Sequence, residues 1–189
     1  MPPKVRITKE EIVNTALSLL REEGLSAVNA RNIAARLSCS TQPVFSNFAT
    51  MDELQDALTA AAYELYLGFL KTEAASGKYP PYKAFGMAYI RFASEEKELF
   101  RHLFMCDRSG KDLAPTEDFT VSVETLMKGC GLSRESAERM HLEMWATVHG
   151  IGTMMATSFL SLEWDLISTM LSDIYQGLLV KHTAGEAKK

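Results

Sequence analysis

Apolar residues recur at intervals of three and four along nearly the whole chain, and no stretch alternates apolar and polar residues as a strand would. That pattern confines the fold to the all-α class. Two capping boxes punctuate it. Thr8 with Glu11 opens a helix that carries Ile12, Val13, Ala16, Leu17 and Leu20 on one face and stops at Gly24. Thr50 with Glu53 opens a long helix through Leu54, Leu58, Ala61, Leu65 and Phe69 to about residue 75. Between them Asn29 caps a short helix with Ile33, Ala34 and Leu37 inward. Ser40 is expected to cap another reaching about Phe48, with Pro43 in its first turn. After the break at Ser76-Gly77-Lys78-Tyr79-Pro80-Pro81, helices are expected at 82–93, 96–105, 116–129, 134–160 and 162–182, about nine in all. A polar loop over 107–115, a tight turn at Gly129-Cys130-Gly131, a cap at Ser133 and a frayed tail from Thr183 complete the reading.

A chain of 189 residues, 47% apolar with only 11 Gly and 6 Pro, is neither disordered nor collagen-like. At that length it buries roughly 70% of its unfolded surface without metal or disulfide staples. Cys39, Cys106 and Cys130 form no C-x-x-C pair and read as reduced thiols of a cytoplasmic protein. The first eight residues hold no apolar run, so no signal peptide is expected there. Residues 144–162 carry no formal charge, but Thr147, His149, Gly150, Gly152, Thr153, Thr157, Ser158 and Ser161 interrupt them. A buried helix explains the stretch better than a membrane span. No nucleophile elbow, P-loop or dinucleotide fingerprint is present. His141 and His149 lie two turns apart with no carboxylate at a ligand spacing, so neither metal, cofactor nor enzymatic activity is expected.

Three short helices in the first 50 residues, with a brief turn between the second and third, outline a helix-turn-helix over about 29–48. Its second helix would be Thr41-Gln42-Pro43-Val44-Phe45-Ser46-Asn47-Phe48, with Val44 and Phe48 as the packing face. Gln, Ser, Thr and Asn are left to meet base edges or phosphates. No acid occurs between Arg31 and Met51. The net charge of −4 divides unevenly. Residues 1–50 hold six basic against four acidic groups, or +2, and the remainder 14 against 20, or −6.

These residues resemble the DNA-binding domain of TetR-family (tetracycline-repressor-like) transcriptional regulators. The likeness rests on a first helix ending at Gly24, then Arg31-Asn32-Ile33-Ala34, Leu37, Ser40, Phe45, Phe48 and Met51-Asp52-Glu53-Leu54. Phe92-Ala93, Glu98-Leu99-Phe100 and Trp145-Ala146-Thr147-Val148-His149-Gly150 resemble the C-terminal domain of the family's WHG branch. Four positions depart from the family pattern: Ser38 replaces a turn Gly, Cys39 an aliphatic residue, Phe45 a phosphate-binding Tyr and Met51 a phosphate-binding Lys. The resemblance implies a head over 1–50 and a body over 51–189, with the helix over 51–75 as connector. It assigns double-stranded operator DNA to Lys4, Arg6, Arg31, Ser40, Thr41, Gln42, Pro43, Phe45, Ser46 and Asn47.

The resemblance also implies a homodimer through the helices over 134–160 and 162–182. Met144, Val148, Ile151, Met155, Phe159 and Leu162 form one stripe there, and Leu166, Ile167, Met170, Leu171, Ile174, Leu178 and Leu179 another. It further implies an apolar or amphipathic small-molecule effector, for which Phe100, Phe104, Met105, Met144, Trp145 and His149 are the candidate contacts. The expectation is a ligand-responsive repressor released from a palindromic operator. The alternative is a helical small-molecule binding protein whose head no longer binds DNA, motivated by Phe45 and Met51.

Overall fold

The computed structural model describes residues 7–107 and 117–186, without the side chains of residues 117, 118, 185 and 186. Among the described residues there are nine α-helices, one 3₁₀ turn and no strand, so the chain is all-α. The helices are α1 (Lys9–Glu23), α2 (Ala30–Arg36), α3 (Gln42–Asn47), α4 (Met51–Ser76), α5 (Pro81–Glu95), α6 (Lys97–Phe104), α7 (Glu117–Cys130), α8 (Arg134–Ala156) and α9 (Trp164–Glu186). The expected loop over 107–115 lies, beyond Asp107, outside the described residues.

The chain forms two compact units. The first comprises residues 1–67 and 96–106, the second residues 68–95 and 107–189. α6 therefore belongs with the N-terminal helices, although it follows α5 in sequence.

In the first unit the capping box forms as its spacing predicts. The Thr8 side chain accepts from the Glu11 amide, and Glu11 accepts from the Thr8 backbone. Gly24 ends α1 at φ +82°, a conformation a β-carbon would strain. Ile12, Ala16, Leu19 and Leu20 face the core, where Ile33, Val44, Phe48, Leu54, Leu58 and Leu99 meet them. In α4 the inward stripe is Leu54, Leu58, Ala62 and Tyr66, so the expected Ala61 and Leu65 stand one position off it. A polar-tipped tyrosine at an inward position conceals this register from a reading of apolar residues alone.

In the second unit α5 is the central helix, with Ala84, Met87, Ala88, Tyr89, Ile90, Phe92 and Ala93 all buried. A β-carbon on Gly86 would stand 3.3 Å from Val148 Cγ2 and 3.5 Å from Leu171 Cδ1, so the glycine lets α8 and α9 come close to α5. A satellite core of Val123, Leu126, Leu132, Ala137 and Met140 sits under Tyr82, Phe119 and Tyr175.

The structure redirects one expected face. The α8 stripe assigned to a partner chain, Met144, Val148, Ile151 and Met155, is buried within this chain, where α8 packs chiefly on α5. Phe159 and Leu162 do not continue that stripe on α8. The helix ends at Ala156, Ser158 takes φ +56°, and Phe159 is 80% exposed in the turn that follows. α9 begins at Trp164 and runs through Thr183 to Glu186, so the tail expected to fray from Thr183 is helical that far. Cys130, expected in a turn, is the last residue of α7, and the turn falls on Gly131 at φ +67°.

Candidate nucleic-acid interface

α2 and α3 are seven and six residues long, too short to persist in water alone. Caps and packing hold them. Asn29 accepts from the Asn32 amide at 3.0 Å, while the side-chain amides of Asn29 and Asn32 both donate to the Ala27 carbonyl, at 3.3 and 2.8 Å. These bonds fix the start of α2. The turn that follows passes through Ser38 at φ +52°, the left-handed conformation that accounts for a glycine preference there.

The third helix begins one turn position later than expected. Thr41, not Ser40, is its N-cap, and it caps without a side-chain hydrogen bond. Pro43 falls in the first turn, where the missing N–H costs little. Val44 and Phe48 anchor the helix from below, burial worth about 1.5–3 kcal/mol for each side chain. Lys9 secures this base from above. Its Nζ stands 4.7 Å from the Phe48 ring centroid and donates to Glu53 Oε1 at 2.8 Å. Glu53 Oε2 accepts from the Ala49 amide at 2.8 Å, and the Thr50 hydroxyl accepts from the Glu53 amide at 3.1 Å. The box at the start of α4 thus reaches one residue further back than the expected Thr50–Glu53 reciprocal pair. The Lys9 ammonium, with the Ala49 N–H, holds the Glu53 carboxyl below the usual carboxylate range.

On this frame the assigned residues separate by what their side chains already do. Lys4 and Arg6 lie outside the described residues. Arg31, in the first turn of α2, and Gln42, the first residue of α3, are exposed. Ser40 and Phe45 are exposed as well, and Thr41 and Pro43 half-buried. Ser46 donates its hydroxyl to the Gln42 carbonyl at 2.9 Å, leaving oxygen lone pairs outward. Asn47 is turned inward: its amide nitrogen donates to the Ile7 and Pro43 carbonyls at 3.2 and 2.8 Å. Neither bond engages its carbonyl oxygen.

Phe45, which stands where the family pattern has a phosphate-binding Tyr, is 53% exposed. It shares the outward face with Gln42, three residues before it, and Ser46, the next residue.

The charge around this face is mostly internal. Of the four basic residues described between 7 and 50, Lys9 is bound to Glu53, Arg21 to Glu96, and Arg36 to both Glu22 and Glu23, at 2.6 and 2.9 Å. Hydrogen bonds donated to these carboxylates raise the Arg21 and Arg36 guanidinium pKa values, and the one from Arg36 lowers that of Glu22. Arg31 alone of the four carries no ion pair among the described residues.

The effector candidates divide between the units. Phe100, Phe104 and Met105 belong to the first, where the Phe100 and Phe104 rings stand 5.4 Å apart and Tyr66 meets Phe104 edge-on at 5.1 Å. Met144, Trp145 and His149 belong to the second. Met144 is buried there, while Trp145 is 44% exposed and stacks on His149 at 5.0 Å and 16°. Tyr89 Oη lies 2.8 Å from His149 Nδ1, and burial lowers the imidazole pKa. Tyr89 was not among the expected residues. Its interval of seven from Tyr82, matched by eight between His141 and His149, is the signal that pairs these residues along two adjacent helices. Among the described residues no group of three His, Cys, Asp or Glu is placed to hold a metal ion, and no helix is long and apolar enough to cross a membrane.

Residues 82–171 match the family model of the tetracyclin repressor-like C-terminal domain. No curated protein sequence matches the chain. Among solved structures, a Rhodococcus sp. RHA1 protein of unknown function is 19% identical, with a TM-score of 0.75 over 95% of this chain and 100% of that one. A TetR-like transcriptional regulator from the same organism is 13% identical, with a TM-score of 0.65 over 98% and 99% of the two chains. Apo ActR from Streptomyces coelicolor is 21% identical, with a TM-score of 0.52 over 98% and 100%. At such identities the likeness is one of fold, and it extends over nearly the full length of each chain. Over residues 82–171 the chain is thus similar to the tetracyclin repressor-like C-terminal domain, and over nearly its full length it shares the all-helical fold of these structures.

Proposed function

We propose that the protein is a homodimeric, ligand-responsive transcriptional repressor that binds a palindromic operator through α3 and leaves it when a small molecule binds the body. One observation carries the reading. A short helix is locked from below by Val44 and Phe48 and presents Gln42, Phe45 and Ser46 outward, none needed to hold the helix in place. A face so exposed and so firmly mounted suits the major groove. Arg31 beside it supplies a phosphate contact.

The dimer would use the faces that the chain leaves uncovered. On α8 these include Leu142 and Ala146, and on α9 Leu166 and Val180. Two heads related by a twofold axis would meet half-sites about 34 Å apart. For the effector, Trp145 and His149 of the second unit are the contacts to test first. An effector shifts the repressor off DNA only by its differential affinity for the two states.

The second reading, a small-molecule binding protein with a silent head, draws on the pairing of Lys9, Arg21 and Arg36 within the protein. Gel-shift titration against the DNA upstream of the gene separates the two. The repressor reading predicts salt-dependent binding. Gln42→Ala should lose about 1–3 kcal/mol of discrimination between sequences, while Arg31→Ala should weaken all sequences alike and lower the salt slope by about one. Equal binding by both variants and the parent would overturn the assignment of α3.

A further inference from the structure

We infer that Phe45 is a specificity-determining residue that reads thymine, its ring meeting a C5-methyl group in the major groove beside an adenine read by Gln42. The half-site recognised by α3 would then centre on adjoining A·T pairs. This inference rests on the DNA-binding reading above and deepens it.

The outward face of α3 holds an amide, an aromatic ring and a hydroxyl, with no charged residue anywhere in the helix. Such a face adds little to phosphate neutralisation, which needs cations. Its discrimination must come from base edges. The ring is 53% exposed although the helix is already closed on the core by Val44 and Phe48, so packing gives no reason for a phenyl group there. Phe45 makes no ring contact or cation contact among the described residues. In the major groove thymine alone among the bases offers a methyl group, whereas cytosine at the same place offers an N4 amino donor. A phenyl ring gains by covering the methyl and leaves the amino group unsatisfied, so it favours thymine and disfavours cytosine at once. Gln42, one helical turn before on the same face, can pair bidentately with adenine N6 and N7. The two side chains therefore ask for the same class of base pair at neighbouring positions.

The test uses the full-length protein and a random-sequence duplex library. The enriched duplex is remade with deoxyuridine in place of thymine, one position at a time, which removes a methyl group and nothing else. The parent protein should lose about fourfold in affinity at one thymine per half-site, the scale of one buried methyl group. Phe45→Ala should bind the thymine duplex more weakly and become indifferent to deoxyuridine at that position, while Phe45→Tyr should keep the sensitivity. Circular dichroism melts check that both variants fold. A parent indifferent to deoxyuridine everywhere, or a Phe45→Ala variant as sensitive as the parent, overturns the inference and leaves DNA binding standing. A library with no enriched sequence, and no duplex retained, overturns the inference together with the DNA-binding reading.

Discussion

The joints of the N-terminal helices and the seam between α5 and α8 solve the same problem by opposite chemistry. Around α1, α2 and α4 the polar ties are ionic and wet: Lys9 to Glu53, and Arg36 to Glu22 and Glu23. Along the seam they are neutral and largely buried: Tyr82 to His141 at 2.9 Å and Tyr89 to His149 at 2.8 Å. The cause is solvation. A charge at the surface keeps its water, so an ion pair there costs little and stabilises little. A charge between α5 and α8 would lose its water, and a tyrosine–imidazole pair satisfies both partners without one. Burial pushes both phenols above their ordinary pKa and lowers His141 to about 4. The seam therefore answers to proton concentration and to lost partners, the joints to salt.

The largest expected effect falls on the seam. Tyr82→Phe removes the partner of His141 Nδ1 and should cost about 1–3 kcal/mol in urea denaturation. Loss as small as that of a surface substitution would show the pair to be water-satisfied. Acid should act in the same place. The unfolded chain binds a proton on His141 near pH 6.5, whereas the folded protein resists it until about pH 4. Unfolding therefore takes up a proton in that window. Stability is full above pH 6.5 and falls as pH drops towards 4, with His149 adding in the same direction. A His141→Asn variant should flatten the slope between those values, and an unchanged slope would refute the assignment. The smallest effect belongs to the joints. Arg36→Ala should lower Tm by about 2 °C or less at low salt, and the difference should vanish in 1 M salt. A large, salt-resistant loss would erase the contrast between the two regions.

Helical spacing carried the reading of the fold a long way because caps are local. Thr8 with Glu11, Asn29 and Ser133 each cap the helix their spacing predicts, since the bonds involved span three residues. What local pattern cannot supply is which neighbour a face will meet. α8 carries apolar residues on two faces, and spacing alone does not rank Met144, Val148, Ile151 and Met155 against Leu142 and Trp145. The close approach at Gly86 decides it in favour of α5. At the candidate interface the position of α3 was legible, but the states of its side chains were not. Asn47 is held by the carbonyl of Ile7, forty residues away, and nothing near Asn47 in the sequence announces that bond. The exposure of Phe45 likewise follows from Val44 and Phe48 filling the space beneath the helix first.

Ser38 bears on how such chains drift. At φ +52° an L-residue carries about 1–2 kcal/mol of strain, which glycine would relieve. Glycine would also bring greater freedom to the unfolded chain, worth about 0.5–1 kcal/mol in the other direction. The strain outweighs the entropy by about 0.5–1 kcal/mol, which accounts for a glycine preference in this turn yet is small against the stability of a domain, so a chain can lose the glycine without losing the turn. A motif that demands it would pass over heads that still fold.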